Sequence, residues 1–174
     1  SEVKRMVEEI YILDDASADN TYYAAVGYKA LKKLKKLKVY RNPKNLGLGG
    51  NQKHAFNYAI KKGFDVLALL HGDNQYDPRY LSSLLKPLIE DKADFVFGSR
   101  MISHPLKGGM PLYKFLGNRF LTFVENILLD MNLSEYHSGY RLFNVHSLKK
   151  VPFNRNSDDF HFDSEIIVQV LLAN

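Results

Sequence analysis

The chain's most constraining feature is a short apolar run that stops abruptly at a polar turn. Residues 65–70 (Asp-Val-Leu-Ala-Leu-Leu) run straight into His71-Gly72-Asp73-Asn74-Gln75-Tyr76-Asp77-Pro78. A run so short and so continuously apolar predicts a central β-strand covered on both faces. A turn rich in Gly, Asn and Asp then places polar side chains just past the strand's carboxyl end.

The same alternation repeats along the chain. Strands are expected at Glu9–Leu13, Lys38–Arg41, Asp94–Gly98 and around Tyr140–Val145. Helices are expected from Tyr22 to Lys36, after the turn at 42–50, from Pro78 to about Glu90, from Tyr113 to Asp130, and from near Asp163 onward. Strands alternating with helices predict an α/β domain with a largely parallel sheet. Gly63 suits the position just past a helix, Pro78 a first helical position, and Pro87 a kink or early stop. In the helix after 42–50, Ala55, Phe56, Ala59 and Ile60 form the expected buried face. Residues 101–111, with two prolines and an adjacent glycine pair, read as a long mobile loop.

Composition narrows the class. The 174 residues are 45% hydrophobic, enough for one domain with a real core. There is no cysteine, which excludes a disulfide scaffold and a thiolate zinc site and is compatible with a reducing compartment. The six histidines show no metal-ligand spacing. The net charge of +5 is concentrated between Lys29 and Lys38. There Ala24, Tyr28, Leu31 and Leu34 form a helical stripe with the lysines as its solvated back, so no nucleic-acid partner is expected. The apolar stretch Phe115–Met131 is interrupted by Arg119 and Glu125 and makes a poor membrane span.

In open α/β sheets ligands bind beyond the carboxyl ends of the strands. Three expected strands end in polar groups: Asp14-Asp15, His71-Gly72-Asp73 and Ser99-Arg100. Asp73 with Gln75 suits magnesium, which takes one or two carboxylates together with substrate phosphates. Asp77 reads as a helix N-cap, and so does Asp19 or Asn20.

Five segments, in order, resemble family 2 glycosyltransferases of the GT-A fold: LDDASADNT, NPKNLGLGGNQKHAFNYAIKKG, LLHGDNQYDP, FVFGSRM and HSGYRLFN. The last is similar to a segment of the polyprenyl-phosphate sugar transferase branch. The resemblance implies a three-layer α/β sandwich and inverting transfer of a hexose from a UDP- or GDP-linked sugar. The implied acceptor is a polyprenyl or dolichyl phosphate at the cytoplasmic membrane face, with the loop at 101–111 and the helix at 113–130 beside the lipid. It implies that Asp14 and Asp15 contact the nucleotide, and that Asp73 with Gln75 holds magnesium or manganese against the diphosphate. Arg100, Arg119, Ser138 and Arg141 are then candidates for acceptor or phosphate binding. Glu135 is the candidate base, needed only if the acceptor is a sugar hydroxyl of a glycan; capping or solvation is its alternative role.

Two departures stand out. His71 occupies a position usually acidic in the family, and the family's first strand is missing. The chain therefore reads as a fragment of one catalytic domain, truncated at both ends. A non-catalytic nucleotide-sugar-binding domain is the alternative from another class. Asp163 is expected to cap the last helix, and the glycines at 47–50 either approach the donor or pack, with packing favoured.

Overall fold

The computed structural model describes residues 6–102, 105–106 and 109–173. In chain order these form β1 (Ile10–Asp14), α1 (Thr21–Leu31), β2 (Leu37–Arg41), α2 (Gly47–Lys62) and β3 (Val66–Leu70). They continue with α3 (Leu81–Ile89), β4 (Phe95–Phe97), α4 (Leu112–Leu129), β5 (Tyr140–Asn144), α5 (Val145–Leu148) and α6 (Phe162–Leu172). Single 3₁₀ turns at Pro78–Tyr80 and Phe153–Arg155 join some of them. Of the loop expected at 101–111, Ser103, His104, Lys107 and Gly108 lie outside the described residues.

The α/β alternation holds, but the strand pairing departs from a mostly parallel sheet. β1 and β2 pair in parallel, whereas β5 runs antiparallel between β3 and β4. Among the described residues no ladder joins the two sheets. Among the described residues β5 is the strand paired on both sides. Tyr140, Arg141, Leu142 and Phe143 are all buried, while β3 lies at an edge with Leu70 41% exposed.

Alternation along β5 divides the core in two. Phe143 faces α2, α5 and α6 in a cluster with Phe56, Leu148, Val151, Phe153, Phe162, Ile166 and Val170. Tyr140 and Leu142 face α3 in a second cluster with Tyr76, Leu81 and Leu88. Phe56 joins three elements through tilted or edge-on contacts with Phe143, Phe153 and Phe162. On α2, Phe56 and Ala59 are fully enclosed, as the apolar spacing predicts.

Helix ends follow local chemistry. Gly63 closes α2 in the left-handed region at φ 73° and returns its N–H to Ala59 and Ile60. Asp77 caps the 3₁₀ turn through the Arg79 N–H, with Pro78 at its first position. Asp19 accepts the Thr21 N–H at the start of α1. Pro87 lies in the last turn of α3, which runs two residues past it.

Two helices differ from expectation in what they bury. α1 ends at Leu31, five residues before Lys36, and Lys33 turns to φ 49°. Among the described residues its main packing partners are β1 and β2, and Tyr28 and Leu31 of its stripe are exposed. α4 turns polar side chains inward: Asn118, Thr122, Glu125 and Asn126 face the protein, while Leu116, Phe120, Phe123, Ile127 and Leu128 face out. Among the described residues no helix is long and apolar enough to cross a membrane.

Candidate functional site

The expected site residues fall into two groups. At the end of β1 the two aspartates point to different places. Asp14 is turned into the protein: its side chain is 1% exposed, and Oδ2 accepts from Ser17 N at 3.3 Å and pairs with Arg41 Nε at 3.3 Å. Its buried Oδ1 has no partner among the described residues. Asp15 is only half-buried; its Oδ1 accepts from Asn42 Nδ2 at 2.7 Å and from Leu46 N at 2.9 Å. Of the pair expected to touch a nucleotide, Asp15 is thus the one facing outward, because Arg41 holds Asp14 inside.

The glycine turn at 47–50 packs. Gly49 and Gly50 donate to the Asp158 carbonyl at 2.8 and 3.2 Å, which fills the N-terminus of α2. A Cβ at Gly47 would collide with the Asp158 carbonyl, and one at Gly49 with that of Ser157. Lys53 clamps the same segment through the Asn156 carbonyl and the Asp158 carboxylate.

The second group lies around the turn after β3. Asp73 is exposed, and its Oδ1 accepts the Gln75 N–H at 3.1 Å. Gln75 Oε1 accepts from Arg100 Nη1 at 3.0 Å, and the Arg100 guanidinium lies over the Tyr76 ring, 5.2 Å from its centroid. Arg100 also reaches the other side of the site. Its backbone N–H donates to Glu135 Oε1 at 2.7 Å, and Nη2 lies 3.4 Å from the His137 carbonyl and 3.6 Å from Glu135 Oε2. Its Nε is buried without a partner among the described residues. The side chain keeps 30% of its surface exposed, so part of the fork remains accessible. An accessible guanidinium with unspent donors is suited to phosphate oxygens.

Segment 135–141 packs against this group, with Glu135, Tyr136 and residues 138–141 buried and His137 exposed. Glu135 is fully buried against Arg100 and Asn118, neither a solvated residue nor a cap. A buried carboxylate needs such a partner, because its desolvation is otherwise uncompensated. Ser138 is enclosed and donates to the Gly98 carbonyl at 2.6 Å. Gly139 N donates to the Tyr76 hydroxyl at 2.7 Å, and its Cα lies under the His71 ring. Arg141 is 2% exposed and committed to the Ser138, Tyr136 and Asp163 carbonyls and the Asp163 carboxylate. Burial pulls its guanidinium below the ordinary value, and Asp163 acts the other way.

Ser138 and Arg141, candidates for acceptor or phosphate binding, are buried, and their side chains donate to carbonyls of the chain and, for Arg141, to the Asp163 carboxylate. Asp163 likewise does not cap α6. It sits in the first turn of that helix, buried, holding Arg141 and Gln52. Arg119 and Lys114 stand exposed on α4. Tyr76, Asn118, Gly139 and Asn42 were not singled out from the sequence. Asn42, Tyr76 and Gly139 lie inside the family-like segments, whereas Asn118 carries no such signal.

A divalent cation fits this turn in a limited way. Asp73 is the one carboxylate there free to reach outward, and among the described residues no three His, Asp or Glu side chains converge. Such a cation would be held by one carboxylate and otherwise by phosphate and water oxygens, an arrangement magnesium accepts. Gln75 Oε1, which accepts from Arg100, has a second lone pair for such an ion.

Against known proteins, the model of the family described as "Glycosyl transferase family 2" matches residues 2–152. The UDP-N-acetylglucosamine–dolichyl-phosphate N-acetylglucosaminyltransferase of Methanococcus voltae is 27% identical over 177 residues, covering 92% of this chain and 68% of the relative. The undecaprenyl-phosphate mannosyltransferase of Micrococcus luteus is 27% identical over 143 residues, covering 82% and 57%. An uncharacterized protein of Methanocaldococcus jannaschii is 28% identical over 165 residues, covering 95% and 65%. The chain thus spans about two thirds or less of the length of these relatives.

Proposed function

Since the chain belongs to glycosyl transferase family 2, and so has the GT-A form of α/β fold, we propose that the whole protein transfers a hexose from a nucleoside-diphosphate sugar to a polyprenyl or dolichyl phosphate. A phosphate oxygen of the lipid attacks the anomeric carbon as the bond from that carbon to the diphosphate oxygen breaks. The products are a lipid-phosphate sugar with inverted configuration and a free nucleoside diphosphate.

The observation that carries the choice of acceptor is the burial of Glu135. A hydroxyl acceptor needs a base within hydrogen-bond reach, and the side chain best placed by sequence is enclosed against Arg100 and Asn118. A lipid phosphate is already an anion and needs no base. The printed names of the M. voltae and M. luteus relatives point to the same acceptor class.

Asp15 binds the nucleoside end of the donor in this reading, and Arg100 binds phosphate oxygens. Asp73 holds a magnesium or manganese ion which, when bound, offsets charge on the departing diphosphate. The outward apolar face of α4, with Lys114 and Arg119 beside it, rests on the membrane surface at its cytoplasmic side.

Full-length protein supplied with UDP- and GDP-sugars, polyprenyl phosphate and manganese or magnesium tests the reading. Transfer to the lipid is expected, and Asp73→Ala should abolish it. Undiminished transfer in that variant would remove the metal role, and transfer only to glycan hydroxyls would overturn the acceptor.

A further inference from the structure

The end of β2 holds a buried asparagine that none of these roles uses. Asn42 is 2% exposed, and its backbone N–H donates to the Asp14 carbonyl at 2.8 Å, one residue beyond the β1–β2 ladder. Its side-chain amide is spent on three partners. Nδ2 donates to Asp15 Oδ1 at 2.7 Å and to Asn51 Oδ1 at 2.8 Å, while Oδ1 lies 3.0 Å from His54 Nδ1. Asn51 and His54 are three residues apart on α2 and so share one face of it.

The chemistry fixes which way this amide points. Reversed, it would set its oxygen against the Asp15 carboxylate, two acceptors facing each other. As placed, the His54 Nδ1–H donates to Asn42 Oδ1, which leaves Nε2 as the acceptor nitrogen, 3.5 Å from the Tyr11 hydroxyl. A polar chain thus runs from Tyr11 in β1 through α2 to the end of β2 and back to Asp15.

At Asp15 the consequence is directional. Two N–H donors, from Asn42 and Leu46, hold Oδ1, and Oδ2 has no protein donor among the described residues. A carboxylate pinned by one oxygen cannot rotate freely, so its other oxygen is held ready for a ligand's donor. Such preparation before binding lowers the ordering cost of association.

We infer that Asn42, set in turn by His54, is a positioning residue for the nucleotide and acts through Asp15. The inference rests on the reading of Asp15 as a donor-site residue. It differs from a purely structural role in one measurable respect: removing Asn42 should cost nucleotide affinity only while Asp15 is present.

A double-mutant cycle on the full-length protein decides this, read by calorimetry with UDP and GDP in the presence of manganese. Asn42→Ala should weaken nucleoside-diphosphate binding about tenfold, the scale of one lost hydrogen bond to a charged group. Asp15→Ala should also weaken it, and the double variant should bind no more weakly than Asp15→Ala alone. His54→Leu should move affinity the same way, and His54→Gln, which keeps a donor, should restore most of it. Fully additive losses, or unchanged affinity in folded Asn42→Ala, would overturn the inference alone. Should Asn42→Ala fail to fold by circular dichroism, the His54→Leu/Asp15→Ala cycle decides on the same terms. A wild-type protein that binds neither nucleotide would overturn the donor-site reading itself, and the inference with it.

Discussion

His71 lies against the backbone of Gly139. A Cβ built at residue 139 would stand 2.7 Å from His71 Cγ and Cε1 and closer still to Nδ1. The two main chains also meet, with His71 N donating to the Gly139 carbonyl at 3.3 Å. The imidazole in the position usually acidic is thus a packing group that ties the Asp73 turn to segment 135–141. Gly139→Ala should cost about 1–3 kcal/mol through overpacking, lowering the melting temperature by roughly 2–4 °C per kcal/mol for a domain of this size. The paired change His71→Ala with Gly139→Ala should recover part of that loss. If Gly139→Ala melts like the wild type, the close approach is not a constraint.

Arg141 and Asp163 form a 3.0 Å ion pair inside the core, so their loss should appear as instability and not as weakened acceptor binding. Arg141→Met leaves a buried carboxylate with Gln52 as its remaining side-chain partner among the described residues, and breaking such a pair costs about 3–5 kcal/mol. Arg141→Lys should rescue little, because one ammonium cannot span the Ser138, Tyr136 and Asp163 carbonyls together. Chemical denaturation of the variants measures this. A stable Arg141→Lys protein with a raised acceptor KM would instead restore the phosphate-binding role.

That pair also marks the limit of what the chain's order of residues makes legible. Strands and helices follow from periodicity, and the caps at Asp77 and Gly63 from local chemistry, because those signals span a few residues. The most buried strand, β5, could not be recognised that way. It carries an arginine whose charge is offset by Asp163, 22 residues later. The apolar run of β3 reads as central, yet among the described residues it is β5 that pairs on both sides, since composition does not report which strand does so. The site was legible as motifs and illegible as roles. Arg100 and Asp73 hold surface positions, while Ser138, Arg141 and Glu135 are enclosed, and only the packing of 135–141 against the turn separates the two sets.

His54 should make stability depend on pH. Burial lowers its pKa below the ordinary 6.5, and the groups facing it, Tyr11, Tyr40 and Asn42, are neutral. A folded-state pKa below the unfolded one means the unfolded chain binds more protons in the interval between them. Stability is therefore full above the unfolded value and falls as pH drops through it toward the folded value. Melting temperatures between about pH 7.5 and 5 should decline over this window, and His54→Gln should flatten that part of the profile. An unchanged slope in the variant would assign the dependence to other groups.

The outward face of α4 yields the most direct test of membrane contact. An ordinary surface helix turns its apolar stripe to the core. α4 does the reverse: Asn126 bonds to Leu133 and Tyr136, and Asn118 to Glu135, while Phe120, Phe123, Ile127 and Leu128 are at least 62% exposed. Lys114 and Arg119 are exposed on the same helix, where they can meet anionic headgroups. The full-length protein should co-sediment with vesicles containing anionic lipid. Phe120→Ser with Phe123→Ser should weaken that binding about tenfold or more, given the apolar area each ring would bury. Lys114→Glu with Arg119→Glu should weaken it on anionic vesicles and not on neutral ones. None of these changes touches Asp15 or Arg100, so UDP and GDP affinity should stay at the wild-type level. Vesicle binding that survives all four substitutions would mean that this face meets something other than lipid.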